Sequence, residues 1–194
     1  MTHSYNNRMA VPVNPRLENL LASLVLNLGE EATAALEHAS GLSGSAASGL
    51  LALAEFLGEP HVGQLADVLG LTHSGAVRLV TQLERAGLAG RREGADRRRV
   101  EVELTSAGRR RARDARAARD AVVRGATAGL TAEEAAVLER LLARVVETRV
   151  ADRLERRREG EAGAWWCRTC DFAACGRPEG RCPAQVTAVA AMAE

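Results

Sequence analysis

Between residues 62 and 104 the apolar side chains change their period once, and no other feature of the chain narrows its fold as much. Val62 to Leu69 reads as a helix of about two turns closed by Gly70, and Leu71-Thr72 as a turn. A second helix follows from about His73 to Ala86 and stops at Gly87, with Thr72 or Ser74 placed to cap it. Val100, Val102 and Leu104 then alternate with Arg99, Glu101 and Glu103, the period of two that marks a half-buried strand. Gly94-Ala95-Asp96 supplies a hairpin turn. The order is helix, tight turn, helix, hairpin.

The rest of the chain frames that unit with helices. Only 3% of residues are aromatic, so the core has to come from Leu, Val and Ala, a composition that favours helix. With 46% hydrophobic residues and a net charge of +1, the sequence is not that of a disordered chain. Its 194 residues suggest one compact domain with a short appendage. No run of about 18 apolar residues predicts a membrane span, and Met1 to Pro15 lacks a signal-type apolar core, so a cytoplasmic location is expected.

Residues 1–15 read as a flexible lead-in ending at Pro15, which suits the first turn of a helix. Leu17, Leu20, Leu21, Leu24, Val25 and Leu28 then recur at helical spacing up to the break at Ser40–Gly44. A helix carrying Leu50, Leu51, Leu53, Ala54 and Leu57 ends near Gly58-Glu59-Pro60. After the hairpin, Thr105 opens an Arg-rich helix to about Arg124, with Gly125 and Gly129 marking its end. Thr131-Ala132-Glu133-Glu134 has capping-box spacing and starts a long helix bearing Val137, Leu138, Leu141, Leu142, Val145, Val146, Val150 and Leu154. Two apolar stripes at opposite ends of the chain exceed what a small domain needs. They predict a dimer interface built from both termini; the alternative is that the two helices pack on each other within one chain.

All 26 cationic side chains are Arg. From Arg78 to Arg124 there are 14 Arg against 7 acids, whereas the remainder of the chain is net acidic. A basic block inside an acidic protein is the footprint of a polyanion-binding surface. On the second helix of the turn unit, Ala76, Val80 and Leu83 share one side, while Ser74, Arg78, Thr81, Gln82 and Arg85 fall within about 100° on the other. Such groups suit a major groove: Arg grips guanine O6 and N7, Gln pairs with adenine, and hydroxyls reach phosphates or bases. Thr72 and His73, at the start of that helix, join the DNA-contact set. Arg91, Arg92, Arg97, Arg98 and Arg99 crowd the hairpin tip, with Glu93 and Asp96 the only acids beside them. Asp96 can fix the tip while other guanidiniums reach phosphate or a narrow minor groove.

At this point the sequence resembles the MarR family of winged helix-turn-helix transcription regulators over about residues 16–158. The resemblance rests on Gln64-Leu65-Ala66, Leu69-Gly70-Leu71-Thr72, Val77-Arg78-Leu79-Val80, Leu83-Glu84, Gly87-Leu88, Asp96-Arg97-Arg98 and Leu104-Thr105-x-x-Gly108. It implies a mainly α fold with a small β-hairpin wing and long terminal dimerisation helices. It also implies a homodimer that reads a pseudo-palindrome in double-stranded DNA, most often as a repressor that releases DNA when a ligand, oxidant or metal binds. Asp96 and Arg98 would lock the wing, and Arg97 or Arg98 would enter the minor groove. Gly75, in the first turn of the reading helix, departs from ordinary helix preference by about 1 kcal/mol; close approach of the backbone to a phosphate would explain it.

All four cysteines fall in residues 159–194, as Cys167, Cys170, Cys175 and Cys182, spaced C-x2-C-x4-C-x6-C. In a reducing compartment this spacing points to metal, with zinc held by four thiolates the first choice. An iron–sulfur cluster and a metal-free redox pair are the alternatives. Arg168, Arg177 and Arg181 can offset the thiolate charge, Gly176 and Gly180 allow tight turns, and Trp165 and Trp166 are expected to pack the module onto the body. No Ser/His/Asp arrangement, paired acids or phosphate loop supports an enzyme. A metal- or redox-responsive interaction adaptor without DNA readout is the competing function, and the basic block argues against it.

Overall fold

The computed structural model describes residues 14–57, 60–93, 100–161 and 163–192. Helix α1 (Pro15–Ser40) opens where the Asn14 side chain accepts the Leu17 N–H at 3.1 Å, with Pro15 at a position whose missing N–H costs nothing. Helix α2 (Ser45–Leu51) runs on into a single π-helical stretch, Ala52–Phe56. Helix α3 (Val62–Leu69) begins with a capping box in which His61 Nδ1 accepts the Gln64 N–H and Gln64 Oε1 accepts the His61 N–H, both at 3.2 Å. His61 is therefore the cap of α3. Helix α4 (His73–Arg85) follows the tight turn Gly70 to Thr72, as the periodicity predicts.

Strands β1 (Ala89–Glu93) and β2 (Val100–Leu104) pair antiparallel, Ala89 opposite Leu104 and Glu93 opposite Val100. The expected turn at Gly94-Ala95-Asp96 lies outside the described residues. Pro60 accepts the Val102 N–H at 2.9 Å and His61 bridges to Glu101, so the chain entering α3 lines the other edge of β2. Helix α5 (Ser106–Thr127) continues through Gly125, which the sequence reading took as its end. A lone exposed glycine lowers helix stability by only about 1 kcal/mol, too little to stop a helix already packed along α1. Helix α6 (Ala132–Arg158) starts with the expected capping box: Glu134 Oε2 accepts the Thr131 N–H at 2.8 Å and Thr131 Oγ1 accepts the Glu134 N–H at 3.3 Å. Those bonds to Thr131 hold the Glu134 carboxyl below its usual range. A 3-10 turn (Trp166–Thr169) and helix α7 (Pro183–Met192) complete the chain. Among the described residues no helix is long and apolar enough to cross a membrane.

One core joins α2, α3, α4, the hairpin and α5. Leu50, Leu65, Val80, Leu83, Ala112 and Ala115 are fully buried in it, and Val102 and Leu104 supply the inward side of β2. Leu and Ala do most of the filling, as the low aromatic content requires. Thr105 locks the hairpin to α5: its N–H donates to Leu88 O at 3.0 Å and its hydroxyl to Gly87 O at 2.8 Å, while its Oγ1 accepts the Gly108 N–H at 3.0 Å. Gly108 has to be glycine here, because a β-carbon would lie 1.9 Å from Leu88 O. The Thr-x-x-Gly spacing is thus a steric and capping requirement of the helix that follows the hairpin.

The terminal stripes do not pack on each other within the chain. Leu17, Leu20, Leu21, Leu24 and Val25 of α1 and Val137, Leu138, Leu141, Leu142 and Val145 of α6 are between 36% and 60% exposed. Instead, α1 lies along α5, and the far end of α6 lies along α7. Replacement of Gly108 by Ala is expected to lower unfolding free energy by roughly 1–3 kcal/mol. Chemical denaturation should show this as a reduced midpoint with unchanged slope.

Candidate nucleic-acid interface

Helix α4 is buried on one side only. Ala76, Leu79, Val80 and Leu83 enter the core, which leaves Ser74, Arg78, Gln82 and Arg85 exposed on the opposite side. Thr72 caps the helix: its Oγ1 accepts the Gly75 N–H at 3.1 Å and lies 3.2 Å from the Ser74 hydroxyl. A β-carbon on Gly75 would meet that same oxygen at 3.2 Å. The glycine therefore leaves room for the cap, and its own N–H is already taken by it. His73 is exposed at the first helical position.

Thr81 is half-buried at the edge of this face, with its hydroxyl donating to Val77 O at 3.0 Å. Val77, read as flanking the apolar side, is 36% exposed. It stands next to Thr81 around the helix, where a methyl group could meet a thymine methyl.

Arg91 and Arg92 were expected at the hairpin tip with other guanidiniums. They sit instead on β1, and each has an acid on a neighbouring element. Arg91 pairs with Glu84 of α4 at 2.8 Å and also donates to Thr81 Oγ1 at 3.5 Å, while Arg92 pairs with Glu101 of β2 at 3.0 Å. The first contact is not legible in the sequence, because it depends on how the hairpin leans against α4. Its effect is electrostatic: the one acid at the edge of the reading face is neutralised. The other wing residues, Asp96, Arg97, Arg98 and Arg99, lie outside the described residues.

The basic block is divided between surface and interior. On α5, Arg111 donates to Ser40 O at 2.9 Å, Arg116 pairs with Glu55 at 2.6 Å, and Arg119 bonds Asp120 and the Thr169 carbonyl. These guanidiniums hold the fold together rather than face a ligand. Arg78 and Arg85 on α4, with Arg110 and Arg113 on α5, are exposed. Arg109, Arg111 and Arg124 of α5 are also exposed, so the outward part of the basic block runs along α5 as well as α4.

Residues 40–99 match the MarR family. Over that segment, which holds α2 to β1, the chain is MarR-like. Its fold is that of the family's winged helix-turn-helix regulators. It is similar to a MarR family protein from Bacillus stearothermophilus at 25% identity and a TM-score of 0.58, covering 69% of this chain and 95% of that one. A MarR family protein from Mycobacterium tuberculosis, solved in complex with DNA, is 26% identical at a TM-score of 0.50, covering 66% and 96%. CouR from Rhodococcus jostii RHA1, solved bound to p-coumaroyl-CoA, is 27% identical at a TM-score of 0.50, covering 68% and 95%. No curated protein matches the sequence.

The cysteines converge in a second, smaller cluster. Cys182 is buried with Ala184 against Val150 of α6, and Trp166, Cys167 and Cys175 surround them. Hydrogen bonding from Cys170 brings the Cys167 thiol down to about 7, against the effect of burial and with help from the Arg177 guanidinium. The Cys170 thiol is pushed well up by that same bond and by burial, and burial raises Cys175. Gly176 and Gly180 take φ of +74° and +67°, the turns expected of them. Among the described residues, no three His, Cys, Asp or Glu side chains stand in an arrangement that would hold a metal as it is. Trp165 packs on Phe56 with ring centroids 6.3 Å apart, which bears out its anchoring role.

Substitution of Arg91 by Ala is expected to change stability by less than about 1 kcal/mol, since the pair is partly exposed. The same change should weaken duplex binding, because Glu84 then repels phosphate. Thermal melts and fluorescence anisotropy on the same variant would measure both.

Proposed function

We propose that this protein is a homodimeric transcriptional repressor that reads a pseudo-palindromic DNA site, and that its C-terminal four-cysteine module binds a metal. The observation that carries the DNA reading is the one-sided burial of α4. It leaves Ser74, Arg78, Gln82 and Arg85 exposed together behind a two-turn helix and a tight turn. That is the geometry in which a second helix enters the major groove with base-reading side chains forward. The likeness to a relative solved with DNA supports it.

The terminal stripes support the dimer. Fully burying a large apolar side chain contributes about 1.5–3 kcal/mol, and ten of them stand exposed on α1 and α6. A second copy, presenting the same two helices, would cover them. Two reading helices joined in this way would engage half-sites about 34–36 Å apart, one helical turn of DNA. Repression follows from occupancy, since a dimer spanning consecutive grooves excludes other proteins from that stretch.

A cavity of about 290 Å³ between α6, the turn at residues 165–167 and α7 supports control by a small amphipathic effector. Trp165, Trp166, Leu154 and Val189 supply apolar walls, and Arg153 and Arg157 lie beside them.

Two experiments test this function. The double variant Arg97→Ala/Arg98→Ala should fold normally, bind a selected duplex more weakly, and lower the salt slope by about 2. Unchanged affinity and slope would remove the wing from the DNA-binding surface. The variant Leu21→Glu/Leu141→Glu is expected to sediment as a monomer where the wild type sediments as a dimer. A wild-type monomer at micromolar concentration would defeat the palindrome reading.

A further inference from the structure

The cavity between α6, residues 165–167 and α7 carries charge of one sign. Arg153, Arg157 and Arg177 line it, and among its described residues there is no acid. Among the described residues none of these three guanidiniums stands in an ion pair. Arg153 and Arg157, one turn apart on α6, share a face, with Arg153 over the Trp166 ring at 5.9 Å and Arg157 over the Trp165 ring at 4.5 Å. Cations around an apolar hollow focus a field that draws an anion. Val150, Leu154, Ala188 and Val189 supply aliphatic wall. Gln185 completes the lining, and its Oε1 is buried without a hydrogen-bond partner. A buried acceptor of that kind calls for a donor on whatever fills the space.

Size and wall chemistry narrow the guest. The volume, about 290 Å³, is about twice that of a cavity that holds one benzene, which gives room for about a dozen non-hydrogen atoms. Arg157 and Phe56 already meet the Trp165 ring, and Arg153 meets that of Trp166, which leaves little indole face for a flat aromatic guest. The aliphatic wall suits a flexible chain instead. A carboxylate is ionised at neutral pH and matches the planar fork of an arginine with two parallel bonds.

Trp165 ties this cavity to the reading head. Its ring is part of the wall, while its backbone N–H donates to Val68 O of α3 at 2.8 Å. Gly70 ends α3 at φ +65°, and a β-carbon there would stand 2.6 Å from the Ala164 nitrogen. Residues 163–165 therefore lie directly on the turn that aims α4. Arg157 holds that stretch from the cavity side, donating to the Gly163 carbonyl as well as covering Trp165.

We propose that the cavity binds a hydroxylated acyl carboxylate of about ten carbons, with its carboxylate on Arg153 and Arg157 and its hydroxyl on Gln185, and that capture of Arg157 slackens the stretch backing the turn before α4. The proposal deepens the effector control proposed above, and its DNA arm rests on that reading. A hydrogen bond to a carboxylate is roughly twice as strong as one between neutral groups, so the ligand draws Arg157 away from Gly163. That exchange supplies the unequal affinity for two states without which no ligand can shift a conformation. The turn then loses its backing, and the aim of α4 loosens.

The test uses the full chain, with β-hydroxydecanoate below its micelle concentration as the probe. Both tryptophans of the chain wall the cavity, so their fluorescence reads occupancy directly. The probe should change that fluorescence saturably, binding at least tenfold more tightly than its methyl ester or naphthoate. Arg153→Gln should keep its fold by circular dichroism and weaken binding at least tenfold. Wild type should prefer the probe over plain decanoate, and Gln185→Leu should not. Saturating probe should speed amide hydrogen exchange at Gly70 and Leu71 at least tenfold. It should equally weaken binding to a duplex that the ligand-free protein selects from a random-sequence pool, and the duplex should weaken probe binding by the same factor. Equal affinity for acid and ester, or tighter binding of naphthoate, would overturn the acyl-carboxylate site. No preference over decanoate in the wild type would overturn the hydroxyl contact. Binding that leaves both exchange and duplex affinity unchanged would overturn the coupling through Arg157. Failure to select any duplex would overturn the DNA reading instead, and fluorescence and exchange would still decide the site and its grip on the turn.

Discussion

The one-sided burial of α4 is the constraint on which the rest depends. Leu79, Val80 and Leu83 are held in a core shared with α2, α3 and the hairpin, so the helix cannot roll without exposing them. At roughly 1.5–3 kcal/mol for each large apolar side chain, rotation would cost a large part of a typical domain's stability. Orientation of Arg78, Gln82 and Arg85 is therefore settled by side chains that never approach a ligand. The cap from Thr72 fixes the start of the helix, and the hairpin leans on its end through Arg91 and Glu84.

The arginines illustrate how one residue type divides its labour. Guanidinium groups at Arg111, Arg116 and Arg119 reach carbonyls and carboxylates on other elements and work as internal cross-links. Those at Arg153, Arg157 and Arg177 lie over the rings of Trp166, Trp165 and Phe172. In a chain with five aromatic residues, these pairs cover three of the rings, of which Trp166 belongs to the second cluster and Trp165 to the main core. Arg78 and Arg85 on α4 stay in solvent, where they can meet phosphate or base. Lysine would serve poorly in the first two roles, because its point charge lacks the planar fork that bonds several partners and stacks.

Alternation and helical spacing were enough to order the elements and locate α3, α4, β2 and the capped start of α6, because those signals are local. The same holds for the Thr105-x-x-Gly108 contact: its residues were visible in the resemblance, although its reason, a β-carbon colliding with Leu88 O, was not. Gly125 misled because glycine propensity is weak beside packing against α1. Arg91 was misplaced because strand residues near a turn look alike until the hairpin has a direction. For the cysteines, spacing put them in one stretch, but that Cys182 buries against Val150 of α6 follows from the tertiary fold.

Sequence alone was enough for the order of helices α1 to α6, the capped starts of α4 and α6, the polar face of α4 and the crowding of the four thiols into one stretch. These follow from periodicity and spacing, which act over a few residues. Tertiary structure alone decided which arginines are spent inside, that Glu84 is neutralised from β1, and that the C-terminal module rests on the turn ahead of α4. Such contacts join residues from seven positions apart, Arg91 and Glu84, to 97 apart, Trp165 and Val68. Nothing in local sequence records a distance that only a completed core can bring about.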